Sequence, residues 1–181
     1  MQLIHKNVMV AGLGKTGLAL IKALYELGAN IYVYDDKAEG ELSSENREFL
    51  KNVNAVCFLN VLPSEETLRT QEMLILSPGI PLTHELPKKA KATGTRIIGE
   101  LEFAYLITAG KFVAVTGTNG KTTTTSLVGL IFKNAGLDAR IVGNIGIPAV
   151  EEALKAKADT WLITEVSSFQ LETVSEFKPV I

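Results

Sequence analysis

Cysteine is almost missing from this sequence of 181 residues: Cys57 stands alone. No internal disulfide is open to it, so the chain is expected to work in a reducing compartment. Extended apolar stretches are missing as well. The longest, such as Met73–Leu76 and Leu127–Phe132, fall far below the roughly 20 residues that a membrane-spanning helix needs. The opening Met1-Gln2-Leu3-Ile4-His5-Lys6-Asn7 carries no apolar segment of signal-peptide kind. Neither charge dominates: 18 Lys and Arg face 20 Asp and Glu, a formal net charge of −2. That balance argues against a general nucleic-acid or membrane-surface binder. Repeats, low-complexity tracts and charge blocks are absent too. With 46% hydrophobic and 21% charged residues, disordered and fibrous classes are excluded. At roughly 100–200 residues per domain, the length allows one domain or two small ones. The expectation is a soluble, cytoplasmic α/β protein.

What is present alternates between strand and helix patterns. Val8–Ala11 is a short apolar run ending at Gly12, as a buried parallel strand requires. Leu18, Ile21, Leu24 and Leu27 recur at helical spacing, predicting a helix over Thr16–Leu27 that stops at Gly28. Ile31–Tyr34 reads as the second strand, and Lys37–Asn52 as a loop with a solvated helix. Ala55–Leu59 and Met73–Leu76 are further strands. Ser77-Pro78-Gly79-Ile80-Pro81 follows, and its prolines predict a rigid loop. Pro87–Thr93 and Leu101–Ile107 read as helical and Arg96–Ile98 as a short strand.

Near Ala109-Gly110 the pattern restarts. Phe112–Val115 is a strand, Thr122–Ala135 a helix, Ala139–Val142 a strand, Pro148–Lys157 a helix and Trp161–Thr164 a strand. The expected division is therefore 1–109 and 110–181, a Rossmann-like parallel-sheet unit followed by the start of a P-loop α/β unit. The second unit is short for an open parallel sheet covered on both faces. A fragment of a longer protein is the expectation.

Val115-Thr116-Gly117-Thr118-Asn119-Gly120-Lys121-Thr122-Thr123 is the most informative stretch. A strand enters it and a helix leaves. Glycines let the backbone curl around an anion with its N–H groups pointing inward. Lys121 can supply a compact positive charge to the β- and γ-phosphates, and the Thr122 hydroxyl can ligate Mg²⁺. The usual P-loop has a glycine where Val115 stands, so this is a variant. A metal at such a site needs an acid at the end of a neighbouring strand. Trp161-Leu162-Ile163-Thr164-Glu165 offers Glu165, at the carboxyl end where open sheets bind ligands.

Gly12-Leu13-Gly14-Lys15-Thr16-Gly17 matches G-x-G-x-x-G between a strand and a helix, and Asp35 ends the next strand. That arrangement suits a pyrophosphate on the backbone and a ribose hydroxyl on the acid. It does not distinguish NAD, FAD or a nucleotide-sugar. Lys15 is either a charge contact or a solvated lysine, and Asp36 either a ligand contact or a turn residue.

With Gly99-Glu100-Leu101-Glu102, Gly143-Asn144-Ile145-Gly146 and Glu165-Val166-Ser167-Ser168-Phe169-Gln170-Leu171 added to these motifs, the whole chain resembles the Mur ligases of peptidoglycan synthesis. The P-loop variant is shared across the superfamily, folylpolyglutamate synthases included. The Ser-Ser-Phe-Gln-Leu run and the Rossmann-like front end resemble the D-glutamate-adding members in particular. The resemblance implies an enzyme of three domains: one for the UDP-sugar, a central one for ATP, and a C-terminal one that completes the amino-acid site. It implies an ATP- and Mg²⁺-dependent ligase that joins D-glutamate to UDP-N-acetylmuramoyl-L-alanine through an acyl phosphate. Such an enzyme serves cell-wall synthesis, and hence cell shape and division, as a cytoplasmic monomer without nucleic-acid or membrane partners.

By the same resemblance, Gly117, Thr118, Asn119, Gly120, Lys121, Thr122 and Thr123 bind ATP, and Thr122 and Glu165 hold Mg²⁺. Lys121, Glu165 and Asn144 are the expected catalytic residues, with Asn144 touching substrate or phosphoryl group. Gly14, Lys15, Thr16, Asp35, Asp36 and Gly79, with Asn144, are expected at the UDP-sugar. Lys15 stands where the family also allows an apolar residue, and Asp36 where it allows a hydroxyl. The family's second-metal histidine and carbamylated lysine are expected beyond Ile181, which leaves His5 and His84 ordinary surface roles and this chain inactive alone. Two other readings stay open: a nicotinamide-dependent oxidoreductase, which has no use for Gly-Lys-Thr and Glu165, and a non-catalytic nucleotide-binding module.

Overall fold

The computed structural model describes residues 2–144 and 146–181. These form two compact units, Gln2–Ile98 and Gly99–Ile181. The packing division falls ahead of the point near Ala109-Gly110 where the sequence pattern restarts. The intervening helix, Glu100–Ile107, belongs with the second unit.

In the first unit the elements run β1 (Asn7–Ala11), α1 (Lys15–Glu26), β2 (Asn30–Asp35), α2 (Ser44–Asn52), β3 (Val56–Leu59), α3 (Glu65–Arg69), β4 (Met73–Leu76), α4 (Glu85–Ala92) and β5 (Arg96–Gly99). They build a five-stranded sheet in the order β3-β2-β1-β4-β5. β1 pairs in parallel with both β2 and β4, and β2 with β3. This is the Rossmann-like order, with the first glycine loop at the carboxyl end of the central strand. Met9, Ala11, Leu74 and Leu76 meet Tyr34, Leu68, Leu86 and Ala90 in the core on one face of the sheet.

Helix α1 buries Gly17, Leu20, Ile21, Ala23 and Leu24. The expected face ran through Leu18 and Leu27, which are only half-buried. Gly17 sets the rotation. A Cβ there would collide with the carbonyl oxygen of Gly12, so Gly17 must face the strand, and Leu20, Ile21 and Leu24 follow at helical spacing. Helix α2 is the solvated helix expected, with Leu50 its buried residue. Helix α4 begins ahead of Pro87 because the His84 side chain accepts from the Leu86 N–H at 3.1 Å. Proline is tolerated in that first turn. Helix α3 was not expected; Ser64, whose hydroxyl accepts from the Thr67 N–H, is its sequence signal.

The second unit runs α5 (Glu100–Ile107), β6 (Lys111–Val115), α6 (Lys121–Asn134), β7 (Ala139–Gly143), α7 (Ala149–Ala153), β8 (Trp161–Glu165) and α8 (Ser168–Leu171). Its three-stranded sheet has the order β6-β8-β7, with β8 parallel to both neighbours. Val113, Ala139 and Ile163 form a small core against Val128, Phe132, Ile141 and Trp161. The outer side of α6 leaves Leu127, Leu130 and Ile131 more than half exposed.

Helix α7 is shorter than the Pro148–Lys157 expected. Past Ala153 the Lys155 N–H bonds to Glu152, and the Lys157 N–H donates to the Thr160 hydroxyl at 3.0 Å. A side chain thus captures a backbone donor the helix would have used. Helix α8, also not expected, opens on a capping box in which Ser167 and Gln170 satisfy each other's backbone N–H. Among the described residues no helix is long and apolar enough to cross a membrane.

Candidate nucleotide sites

Strand register builds the second glycine loop's surroundings. Val115 of β6 and Gly143 of β7 both stand opposite Glu165 of β8. The carboxyl ends of all three strands therefore coincide, and the loops leaving them converge. After β6 the chain turns through Gly117 at φ +140° and Gly120 at φ +76°, left-handed conformations that favour glycine. Lys121 then opens α6, and its Nζ donates to the Gly117 carbonyl at 2.7 Å and the Thr118 carbonyl at 3.3 Å. Thr118, Asn119 and Thr123 lie exposed around this turn.

Glu165 is almost fully buried, at 2% exposure. Both carboxylate oxygens are engaged: the Thr122 hydroxyl donates to Oε2 at 2.7 Å and the Asn144 Nδ2 to Oε1 at 3.0 Å. The Asn144 backbone N–H also donates to the Glu165 carbonyl at 3.0 Å. Gly143 permits this approach, because a Cβ there would strike that same carbonyl oxygen. Lys121, Thr122, Asn144 and Glu165, singled out separately in the sequence, thus gather at one sheet end. Ile145, within the Gly143–Gly146 motif, lies outside the described residues.

Thr122 and Glu165 form a hard-oxygen pair suited to Mg²⁺, which keeps several waters and takes few carboxylates. Among the described residues no group of three or more His, Cys, Asp or Glu could hold a metal. The remaining positions around a Mg²⁺ here would fall to water and phosphate oxygens. The donor set fits the ion.

The first glycine loop is built differently. Gly12, at φ +94°, donates its N–H to the Tyr34 carbonyl at 2.7 Å, and its own carbonyl accepts from the Ser77 hydroxyl at 3.2 Å. Asp35 Oδ2 accepts from the Leu13 N–H at 2.6 Å and Oδ1 from the Lys37 N–H at 2.9 Å. The expected ribose acid is therefore fastened to the loop itself. Gly14 and Lys15 are exposed at the start of α1, Thr16 is half-buried, and Gly79 is exposed in the loop after β4.

Asp36 is drawn into a cluster of its own. Its Oδ1 accepts from the Tyr34 hydroxyl at 2.6 Å and lies 3.2 Å from His84 Nε2. The Tyr34 bond and the neighbouring His84 hold the Asp36 carboxyl below its ordinary range. Burial, and then the bond to Asp36, push the Tyr34 phenol above its own. The His84 ring meets Tyr34 edge-on at 5.7 Å. His84 thus caps a helix and packs on an aromatic ring.

Two carboxylates went unassigned. Glu100 and Glu102 are 3% and 0% exposed. Burial raises the Glu100 carboxyl to about 7 despite hydrogen bonds from the Val150 and Ala149 N–H groups. Burial also pushes Glu102 up, but bonds from the Ser175, Glu176 and Phe177 backbone and the Ser175 hydroxyl outweigh it and hold Glu102 low. The signal was the Gly-Glu-Leu-Glu run itself, which puts two acids into an otherwise apolar first turn.

Residues 6–99 match the family model described as Mur ligase MurD-like, N-terminal domain, and residues 115–181 that of the Mur ligase middle domain. A curated relative from Caldanaerobacter subterraneus subsp. tengcongensis, named UDP-N-acetylmuramoylalanine--D-glutamate ligase, is 49% identical over 181 residues. The alignment covers 100% of this chain and 40% of the relative. One of the same name from Clostridioides difficile is 43% identical over 182 residues, again 100% of this chain and 40% of the relative. The chain thus spans about 40% of the length of these relatives. Among solved structures, a UDP-N-acetylmuramate:L-alanyl-gamma-D-glutamyl-meso-diaminopimelate ligase from Neisseria meningitides superposes with a TM-score of 0.52 at 16% identity. It matches 97% of this chain and 56% of its own. A pseudomurein peptide ligase type C from Methanothermus fervidus gives a TM-score of 0.51 at 18% identity, over 91% of this chain and 33% of its own. At these identities the structures bear on the fold alone.

Proposed function

The chain belongs to the Mur ligase family, and from that premise we propose that it serves the ATP-dependent joining of D-glutamate to UDP-N-acetylmuramoyl-L-alanine in peptidoglycan precursor synthesis. The unit Gln2–Ile98 is the proposed UDP-sugar-binding domain, and Gly99–Ile181 belongs to the proposed ATP-binding domain, in a cytoplasmic, monomeric enzyme. The observation that carries the reading is the meeting of Thr122, Asn144 and Glu165 beside the Gly117–Gly120 turn.

In the proposed reaction the substrate carboxylate attacks the γ-phosphorus of ATP and expels ADP, leaving an acyl phosphate. The amine of D-glutamate then attacks the acyl carbon, phosphate departs, and the nitrogen loses a proton as the amide forms. Little covalent work falls to the protein, so orientation and charge stabilisation supply the rate. The open turn offers backbone N–H groups to the phosphates. Lys121 exchanges its two carbonyl partners for phosphoryl oxygens. Asn144 keeps Glu165 oriented toward Thr122, and Thr122 and Glu165 would hold Mg²⁺, which when bound supplies charge neutralisation on the triphosphate. In the first unit, Asp35 stiffens the loop that Gly14, Lys15 and Thr16 present to the UDP-sugar, with Gly79 nearby in sequence to Ser77, which bonds that loop.

The oxidoreductase reading leaves Lys121, Thr122 and Glu165 without a task. Titration of the intact protein with UDP-N-acetylmuramoyl-L-alanine and with NADH separates the two. The UDP-sugar is expected to bind and NADH not to; tight NADH binding with no response to the UDP-sugar overturns the proposal.

A further inference from the structure

The Gly99-Glu100-Leu101-Glu102 motif has no part in the chemistry above, yet each of its residues meets a specific demand. A Cβ on Gly99 would collide with the Thr173 hydroxyl. Leu101 is fully buried. Glu102 takes the Ser175, Glu176 and Phe177 N–H groups at 2.9–3.1 Å and the Ser175 hydroxyl at 2.9 Å. Four donors on one carboxylate fasten the start of α5 to the segment after α8. Glu100 is thereby anchored from behind.

From that anchored turn the Glu100 Oε1 accepts from the Val150 N–H at 2.7 Å, at the first turn of α7. Helix α7 needs the help. Its N-cap residue is Pro148, which has no side-chain acceptor, so no side-chain cap comes from within. Leaving those N–H groups unpaired in a buried place is costly, and burying a carboxylate to meet them is costly too.

Ile147, which leads into the capped helix, pairs with the end of β7 next to Asn144. Gly143 N–H donates to the Ile147 carbonyl at 2.9 Å, and Asn144 reaches Glu165 through both backbone and side chain. The far end of α7 is held separately, by Arg140 on β7 to Glu152 at 2.6 Å. The near end, toward Asn144, takes the Glu100 cap.

We propose that Glu100 is a positioning residue: by capping α7 from α5 it keeps Ile147 against Gly143, so that Asn144 holds Glu165 against Thr122. The inference rests on the functional reading only where it extends to Mg²⁺.

Amide hydrogen exchange in the nucleotide-free intact protein tests the mechanical part. Glu100→Ala is expected to speed exchange of the Val150 N–H and the Asn144 side-chain amide by about tenfold or more. Glu100→Gln, which keeps an acceptor oxygen, is expected to bring both back to within about threefold of the parent. Faster exchange at Val150 with no change at Asn144 makes Glu100 a local cap and overturns the proposal. Should Glu100→Ala fail to fold, Glu100→Asp withdraws the acceptor by one carbon and must show both changes in smaller measure; an unmoved Asn144 overturns it equally.

In D-glutamate-dependent ADP release, Glu100→Ala is expected to raise the Mg²⁺ concentration for half-maximal turnover by about 10-fold or more, as loss of outer-shell support does elsewhere. Glu100→Gln should restore it. A Mg²⁺ requirement unchanged in Glu100→Ala, with turnover lost in Lys121→Ala, defeats the positioning role alone. Turnover that survives Lys121→Ala defeats the functional reading, while the exchange result still stands.

Discussion

Two glycine loops follow two strands in this chain, and Gly17 of the first and Gly120 of the second are there for opposite reasons. In the first, Gly17 has no room for a side chain: the Gly12 carbonyl occupies the place its Cβ would take, and the Ser77 hydroxyl lies 3.2 Å from that place. In the second, Gly120 has nothing within 4 Å of a Cβ and needs glycine only for its φ of +76°. The first loop is packed against its own sheet and tied by Asp35. The second is an open concavity whose lysine rests on its own carbonyls. Gly17 serves close packing and Gly120 serves curvature, and curvature with free space is what a polyphosphate requires.

The contrast can be broken most readily at Lys121. Lys121→Ala is expected to lower ligase turnover of the intact protein by roughly 10²–10³-fold, the cost of losing one charge-stabilising donor. Its denaturation midpoint should not move, because among the described residues the side chain bonds only the Gly117 and Thr118 carbonyls of its own loop. A fall in both would make the open loop structural.

Gly17→Ala should do the reverse, costing about 3 kcal/mol or more in chemical denaturation through overpacking on backbone that cannot yield. Gly120→Ala, in open space, should cost about 1–2 kcal/mol from its left-handed conformation. If Gly120→Ala proves the more damaging, the assignment of packing and curvature is reversed.

The second loop's scaffold also leaves a signature in pH. Glu100 rises from 4.5 to about 7 on folding, chiefly through burial. Between those values the unfolded chain has released the proton while the folded one keeps it. Stability therefore falls as pH climbs through this window, by about 3 kcal/mol, and levels off above it. Glu100→Gln should abolish the decline and denature later than the parent at pH 8. Glu102 runs the other way: its carboxyl is held low, so its contribution is present above the ordinary glutamate range and is lost as pH falls. A parent whose stability shows no decline between pH 4.5 and 7, unaltered by Glu100→Gln, would contradict the burial of that carboxylate.

The smallest effect belongs to Asp35. Asp35→Ala removes the acceptor for the Leu13 N–H and should cost about 1–2 kcal/mol of stability. Calorimetry should also show weaker binding of the UDP-sugar with ATP binding unchanged. Equal losses for both ligands would mean that the two loops do not act on separate ligands.

Periodicity and turn chemistry made most of the strands legible, because buried parallel strands are apolar runs with glycine at their ends. The rotation of α1 was not legible from its leucines, since the demand at Gly17 comes from a carbonyl one loop away. Helices α3 and α8 are too short for periodicity, although Ser64 and the Ser167/Gln170 pair marked their starts. The residues of the candidate triphosphate site could be named one by one, but their meeting depends on the register that aligns Val115, Glu165 and Gly143. Glu100 and Glu102 lay in plain view as a motif. Their partners, tens of residues later in the chain, are visible only once the fold brings them near.

The central claim is that the Gly117–Thr122 turn, with Glu165 behind it, receives the triphosphate while the first loop receives the sugar nucleotide. A crystal structure of the intact protein with a non-hydrolysable ATP analogue, Mg²⁺ and UDP-N-acetylmuramoyl-L-alanine tests it most directly. The predicted result has phosphates in the Gly117–Thr122 turn and the Lys121 ammonium turned away from the Gly117 and Thr118 carbonyls. A triphosphate seated on Gly12–Gly17, with Lys121 still bonded to Gly117, would contradict it.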